Sequence, residues 1–431
     1  MEIPVRRWST LAEDERSRIL SRSEQNIDEL LPTAQEIIDA VSARGDDAVR
    51  EYTTRFDRAP ADHALRVGES EFAEAEAALS PEVVAALDYA IANVRAVHEH
   101  QRPRDLELVQ VRPGIVAGER STPIDSVGLY VPRGRGSFPS MLYMLAVPAS
   151  IAGVRRLVVA TPPGPDGSVD PACLYAAGAC GVHAVYRMGG VQAIAALALG
   201  TGSIPRVDKI VGPGSAYVAA AKRLLRDRVD VGLPAGPSES IILADESADA
   251  ASVTADLLIE AEHGSDSQAL LVTASERLAR EVAGLLARRI ADTPAPRRDF
   301  LRDVFSGYGG VIVADSADEA VEIVNSFAPE HLQLRTADPW ATMARIRNAG
   351  EILLGPHSAF SLANYATGAN AVLPTGGFAR TWSGVSVSDF LKHSSVVQVS
   401  ADAYSEIARH TEVLAEYEGF HWHARALRER T

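Results

Sequence analysis

The chain has 431 residues, 46% apolar and 23% charged, with 42 Lys+Arg against 57 Asp+Glu and a net charge of −15. That length suits two or three domains of roughly 100–200 residues each. The acidic surplus argues against a nucleic-acid or anionic-membrane surface, since both are engaged through basic patches. The two cysteines, Cys173 and Cys180, lie in an Ala-rich helical stretch. Their spacing makes neither a zinc knuckle nor a disulfide framework, so they read as small core residues. The N-terminal residues lack the apolar core of a signal peptide, and no run of 18 apolar residues occurs. A cytoplasmic protein without membrane contact is the expectation.

In chain order, residues 1–105 read as helical, with apolar positions recurring near every 3.6 residues over 11–20, 24–43, 45–54, 70–78 and 80–100. Ser80 followed by Pro81 is a good helix start, with a capping hydroxyl and a proline at the first helical position. From 107 to 380 short β-rich runs alternate with helical stretches. The strand candidates are 126–131, 156–161, 184–187, 209–211, 240–243, 269–273, 310–314, 331–335 and 351–354. Such alternation implies parallel sheets with helices on both faces. Two doubly wound sheets accommodate this many strands better than one. Residues 401–431 read as a charged helical arm of the kind that docks elsewhere, including on a second subunit.

Four segments carry candidate chemistry. Glu260 and His263 are i and i+3 on one helix, so they share a face, and Gly264 looks like the residue that ends the helix. Together they make half a metal site, or His263 merely complements the helix dipole. Glu330 and His331 set a carboxylate beside a base near neutral pH. At a loop-to-strand junction they flank one site; otherwise they are solvated charges at a Pro-initiated turn. The Gly- and Asn-rich stretch from Asn364 to Gly377 is a loop that positions side chains or an ordinary connection. Near the C-terminus, Glu418, His421 and His423 could be ligands, a solvated helix end or packing residues.

Three Gly/Pro turns could offer backbone N–H groups to a phosphate or cofactor: Pro132–Gly136, Gly212–Gly214 and 235–239. None is the G-x-G-x-x-G fingerprint of a conventional dinucleotide site.

Taken together, these segments resemble the histidinol dehydrogenase family from Arg7 to His423. The most specific stretches are VGLYVP (127–132), MGGVQAIAALALGT (188–201), KIVGPGSAYV (209–218), LPAGPSE (233–239), AEHGSDSQ (261–268), APEHLQL (328–334) and NAVLPTGG (370–377). The resemblance implies an α/β fold of two incomplete Rossmann-like, doubly wound domains. These are a catalytic domain of 24–127 plus 239–380 and an NAD-binding domain of 128–238. An N-terminal helical segment (1–23) and a C-terminal dimerisation arm (381–431), swapped between the subunits of a homodimer, complete it.

The resemblance also implies one zinc and NAD at each site, and oxidation of a primary alcohol through a retained aldehyde to a carboxylate. Glu330 resembles the residue that activates water, and His331 the base that deprotonates the alcohol. Tyr130, Gln192 and Ser215 fall at cofactor-contacting positions. Glu260, His263, Asn364 and His423 fall at the zinc-ligand positions. Substrate contacts are implied for Ser238, Glu260, His263, His331, Asn364, Glu418 and His423.

The departures are informative. The family has Gln where this chain has Glu260, and Asp where it has Asn364. The two changes move one carboxylate from one ligand position to another and leave the ligand charge unaltered. A histidine of the family is Ala371 here, a turn asparagine is Ser215, and a glycine is Arg133. These changes point to a divergent member acting on L-histidinol or on another polar alcohol, such as the sulfonated propanediol oxidised by a relative. A zinc hydrolase without NAD and a non-catalytic paralogue are the competing readings.

Overall fold

The computed structural model describes residues 1–21, 27–133 and 136–430. The chain opens with β1 (Val5–Arg7) and helices α1 (Glu13–Ser21), α2 (Ile27–Arg44), α3 (Asp46–Asp57), α4 (Glu69–Ala78) and α5 (Pro81–Gln101). Ser80 Oγ accepts the Val83 N–H, the cap expected ahead of Pro81. A hairpin follows, β2 (Leu106–Arg112) and β3 (Ile115–Pro123).

Then comes β4 (Ser126–Tyr130), α6 (Pro139–Ala152), β5 (Arg156–Thr161), α7 (Pro171–Ala179), β6 (Val185–Arg187), α8 (Gly190–Leu199), β7 (Lys209–Val211) and α9 (Ala216–Leu225). A second alternating series is β8 (Glu239–Ala244), α10 (Ala250–Ala261), β9 (Gln268–Thr273), α11 (Glu276–Asp292), α12 (Arg297–Ser306), β10 (Gly310–Val313), α13 (Ala317–Phe327), β11 (His331–Arg335), α14 (Pro339–Met343), β12 (Glu351–Leu354) and α15 (Phe360–Tyr365). The chain closes with β13 (Leu391–Val399), α16 (Ala401–Tyr417) and α17 (His421–Arg428).

The expected pair of doubly wound parallel sheets is present. The smaller has the order β6-β5-β4-β7 and the larger β1-β10-β9-β8-β11-β12. In each, the chain winds outward from a central strand and then returns to that strand's other side. The switch falls between β4 and β7 in the small sheet and between β8 and β11 in the large one.

Successive strand residues face opposite layers, and both layers are covered, which is why apolar residues in these strands are buried on either face. Ile242 and Leu271 meet α10, α11 and α12, whereas Ile241 and Leu270 meet α13 and Trp8. Burying each such side chain contributes about 1.5–3 kcal/mol. The small sheet is covered by α2, α3, α8 and α9 on one face and by α5, α6 and α7 on the other.

Three short regions differ from the sequence reading. Val5–Arg7 lies within the stretch read as helical, yet it pairs in parallel with β10 at the edge of the large sheet. β2 and β3 were not among the strand candidates. They form an antiparallel ribbon with β13, which lies in the 381–431 arm just ahead of the 401–431 stretch read as helical. Every β2 residue is exposed, so no core face marks the segment; its partner strands make it a strand.

The loop from α15 to β13 ties the two sheets together. Tyr143 Oη donates to the Tyr365 carbonyl (2.7 Å), Asn93 Nδ2 to that of Ala366 (2.8 Å) and Asn370 Nδ2 to that of Met144 (2.6 Å). Gly236 N–H donates to Thr375 Oγ1 (2.6 Å). The loop therefore leans on α5 and α6 while its start lies beside α10.

Candidate functional site

The Glu330–His331 couple sits at the amino ends of the large sheet's central strands. His331 opens β11 and is in register with Ser240 on β8 and Glu351 on β12. In-register neighbours project from the same face of a sheet. His331 Nδ1 lies 2.9 Å from Glu351 Oε2, and Nε2 lies 3.9 Å from Glu330 Oε1. Glu330 precedes the strand, where Ala328 takes a left-handed conformation (φ 54°) that caps α13 and redirects the chain. The two adjacent side chains thus face each other across the loop-to-strand junction. Glu330 Oε2 accepts the Glu239 N–H (2.9 Å), and Glu239 Oε1 accepts the Gly376 N–H (2.9 Å). The Phe360 ring meets the imidazole edge-on at 5.9 Å.

Negative charge dominates this pocket. Burial pushes the Glu330 carboxyl well above the usual carboxylate range, opposed by His331, and Glu260 and Glu239 push it further. Burial alone would lower His331, but the carboxylates of Glu260, Glu330 and Glu351 outweigh it and raise the imidazole. A buried imidazole among carboxylates suits proton transfer and leaves room for a cation.

Glu260 is the link to the second candidate pair. It lies near the end of α10, only 1% exposed, with Oε2 3.3 Å from His263 Nδ1. The helix ends earlier than the sequence suggested. α10 stops at Ala261 with Glu262 as its cap, and the tight turn that follows places His263 beside Glu260. Gly264 is not a left-handed terminator; its carbonyl accepts the Ser267 N–H.

His263 Nδ1 also lies 3.1 Å from the Ile259 carbonyl. A proton held there puts the lone pair of the neutral ring on Nε2. Asn364 on α15 donates from Nδ2 to Glu260 Oε1 (2.6 Å). The two positions between which the carboxylate appeared relocated are therefore in direct contact.

A carboxylate, a carboxamide and an imidazole in one connected cluster are donors that suit zinc. The set is one donor short. His423 is exposed on α17 with its ring against Phe420, and Glu418 and His421 are exposed on the same arm. Among the described residues no group of three or more His, Cys, Asp or Glu side chains is placed to hold a metal ion. Ser238 precedes Glu239 in the loop entering β8, and its carbonyl accepts the Gln268 N–H.

Tyr130, Gln192 and Ser215 gather at the carboxyl edge of the small sheet. Tyr130 ends β4, Gln192 lies in the first turn of α8, and Ser215 precedes α9. The crevice outside the carboxyl ends of parallel strands, at the switch point, is where open α/β sheets bind ligands. Tyr130 Oη accepts the Gly190 N–H (3.0 Å), and burial pushes its hydroxyl up to about 12, so it stays protonated. Gln192 is fully buried, yet neither amide atom has a hydrogen-bond partner among the described residues. An orphaned buried amide costs about 1–3 kcal/mol. At a switch point it fits a polar ligand such as a dinucleotide. Gly212 has φ 129°, and a Cβ there would lie 2.0 Å from the Tyr130 carbonyl oxygen, so the turn after β7 requires glycine.

The sequence reading missed several residues here. Glu351 opens the otherwise apolar strand β12, a signal that was available, and Glu239, read within the 235–239 turn, opens β8. Asp57, at the end of α3, neighbours both Tyr130 and Arg133; burial raises its carboxyl to about 6, with Arg133 opposing. Arg133 is exposed and also neighbours Asp166. Gly134, central to the first Gly-rich turn, lies outside the described residues. Ala371, read as a position near the substrate, packs against the core on the α5–α6 face of the small sheet, with its N–H 3.3 Å from Met144 Sδ.

Two coupled parallel sheets, one bearing a buried Glu–His couple and the other a polar switch-point crevice, define a two-sheet α/β oxidoreductase. The histidinol dehydrogenase family model matches residues 20–431, and the chain belongs to that family. It is 50% identical over 427 residues to a histidinol dehydrogenase of Synechocystis sp., covering 99% of this chain and 98% of that protein. It is 49% identical over 415 residues to a histidinol dehydrogenase homolog of Cereibacter sphaeroides, covering 96% and 94%. The crystal structure of histidinol dehydrogenase from Elizabethkingia anophelis superposes with a TM-score of 0.93 at 32% identity, covering 100% of this chain and 98% of that one.

Proposed function

We propose that this protein oxidises L-histidinol, or a polar primary alcohol of similar shape, through an aldehyde to the carboxylate, as an NAD- and zinc-dependent enzyme. The observation that carries the reading is the facing of Glu330 and His331 in a buried, carboxylate-rich pocket within a family member. His331 Nε2 accepts the hydroxyl proton in the first oxidation. Glu330, its basicity raised by burial, takes the proton of the water that adds to the aldehyde carbon. Closure of the pocket around the aldehyde prevents its loss.

Bound NAD supplies the hydride acceptor for both oxidations, two equivalents per alcohol, and Tyr130, Gln192 and the 212–215 turn are the residues that would hold it. Zinc, held by Glu260, His263 and Asn364, supplies a fixed positive point that orients the substrate's heteroatoms.

The fourth zinc donor in this reading is His423 from the arm of a second copy, with Glu418 reaching the substrate from the same arm. The exposed Leu414, Tyr417, Phe420 and Trp422 give that arm an apolar face to bury in a homodimer. The resemblance joins 24–127 to 239–380, but α2–α5 pack on α6–α9, so we propose instead one cofactor-binding unit of 27–101 with 128–238 and a catalytic unit of 239–380. Both cysteines are buried and free, in keeping with a cytoplasmic setting. No described helix is long and apolar enough to cross a membrane.

A different polar alcohol, such as a sulfonated propanediol, is the alternative substrate. A screen of NAD reduction decides. L-histidinol, amino alcohols and sulfonated or phosphonated diols are compared with zinc present. Turnover of one of them supports the reading, and no NADH from any of them rejects it in favour of a non-catalytic paralogue.

A further inference from the structure

We infer that Glu351 is the positioning residue that sets the tautomer and ring orientation of His331, so that Nε2 is the nitrogen offered to the substrate. This rests on the proposed role of His331 as base.

The strand register makes the contact unavoidable. Glu351 and His331 are directly paired on adjacent parallel strands, and both side chains lie almost wholly inside the protein, 7% and 4% exposed. A carboxylate is acceptor-only, so at 2.9 Å the Nδ1 position must carry the hydrogen. In the neutral ring the lone pair then resides on Nε2, the nitrogen facing Glu330. Glu330 cannot take over the orienting role, because it lies on the Nε2 side and its Oε2 already accepts the Glu239 N–H. Phe360 packs edge-on against the ring at 5.9 Å.

Glu351 is also a poor candidate for a purely structural ion pair. It heads a strand that continues Ile352, Leu353 and Leu354. Its second oxygen is buried with no hydrogen-bond partner among the described residues. An interior carboxylate with one unsatisfied oxygen costs stability, so stability alone does not account for its place beside His331.

The test uses the full-length, zinc-loaded enzyme and three variants. Glu351→Leu is expected to lower kcat about 10–100-fold, the range typical of removing an orienting partner, with KM nearly unchanged. Glu351→Gln, nearly isosteric, keeps an acceptor oxygen and loses less. The second readout is nitrogen NMR of histidine-labelled protein, which reports the ring nitrogen bearing the proton, with and without zinc. Measured at a pH where the ring is neutral, His331 should hold its proton on Nδ1 in the wild type and in Glu351→Gln, and lose that preference in Glu351→Leu.

Wild-type kcat in Glu351→Leu, or an unchanged tautomer in it, overturns the inference. If the Leu variant does not fold, Glu351→Ala takes its place: wild-type kcat or an unchanged tautomer there overturns the inference, and a reduced kcat with preserved KM sustains it. His331→Gln separates the two levels. If that variant keeps full activity, the base assignment itself fails. If it is inactive while the Glu351 variants are not, only the role of Glu351 fails.

Discussion

The contact between Glu260 and Asn364 makes a prediction that can be worked through without any substrate. In the present arrangement one carboxylate accepts one carboxamide N–H at 2.6 Å in a nearly water-free setting. Glu260→Gln turns a charge-assisted bond into a neutral one, a loss of about 1 kcal/mol in the metal-free protein. Asn364→Asp instead sets two carboxylates side by side. With charge centres about 4 Å apart and an effective dielectric near 20, their repulsion is about 4 kcal/mol. The double exchange restores one carboxylate and one carboxamide in contact, so it should return close to wild-type stability. Local relaxation brings the measurable coupling to about 1–3 kcal/mol, the range found for residues that touch.

Denaturant unfolding of the four proteins in excess chelator measures that cycle. Zinc content after dialysis measures the other half. Glu260→Gln removes the only carboxylate in the cluster and should weaken zinc by at least about 10-fold; the double exchange should recover much of it. Asn364→Asp, the least stable without metal, should be the protein most stabilised by added zinc. Additive stabilities would show that the two side chains are not coupled, and full zinc content in Glu260→Gln would show that its carboxylate does not hold the cation.

Glu330→Gln should leave the first oxidation in place and cripple the second, so the yield falls from two NADH per alcohol toward one and aldehyde is released; two NADH from the variant would remove Glu330 from the water-activating step. His423→Asn and His331→Asn should each be inactive as pure proteins. Mixed, unfolded and refolded together, they should regain about a quarter of wild-type activity, because half the dimers are hybrids and each hybrid has one intact site; no recovery would place the arm on its own subunit. Asp57, raised to about 6, keeps its proton in the folded protein between about pH 4 and pH 6 where the unfolded chain releases it. Burial of that carboxylate therefore opposes folding above pH 6 and costs nothing near pH 4. Asp57→Asn should raise Tm at pH 7.5, with the gain shrinking through pH 6 and absent near pH 4; a gain independent of pH would mean that charge burial is not its source.

Much of the architecture was written locally. The runs 156–161, 209–211, 331–335 and 351–354 appear as strands with those bounds, because each is a short β-rich run between helical stretches and needs no distant information to be extended. The i, i+3 spacing of Glu260 and His263 keeps the two side chains close although the helix ends before His263, and a shared site at a loop-to-strand junction was one of two readings open for Glu330 and His331. What the sequence could not settle is everything that depends on a partner far along the chain.

The ribbon of β2, β3 and β13 has no buried face to announce it, so its strands exist only through their pairing. Gly264 has the composition of a helix terminator, but the packing of α10 closes the helix sooner. Glu351 looked like an ordinary polar strand end until the β11–β12 register set it against His331. Local propensity and spacing are properties of neighbouring residues and can be read from the chain. Convergence of charged groups in a low-dielectric pocket is a property of the folded sheet order, and only that order brings Glu260, Glu330, His331 and Glu351 within each other's field.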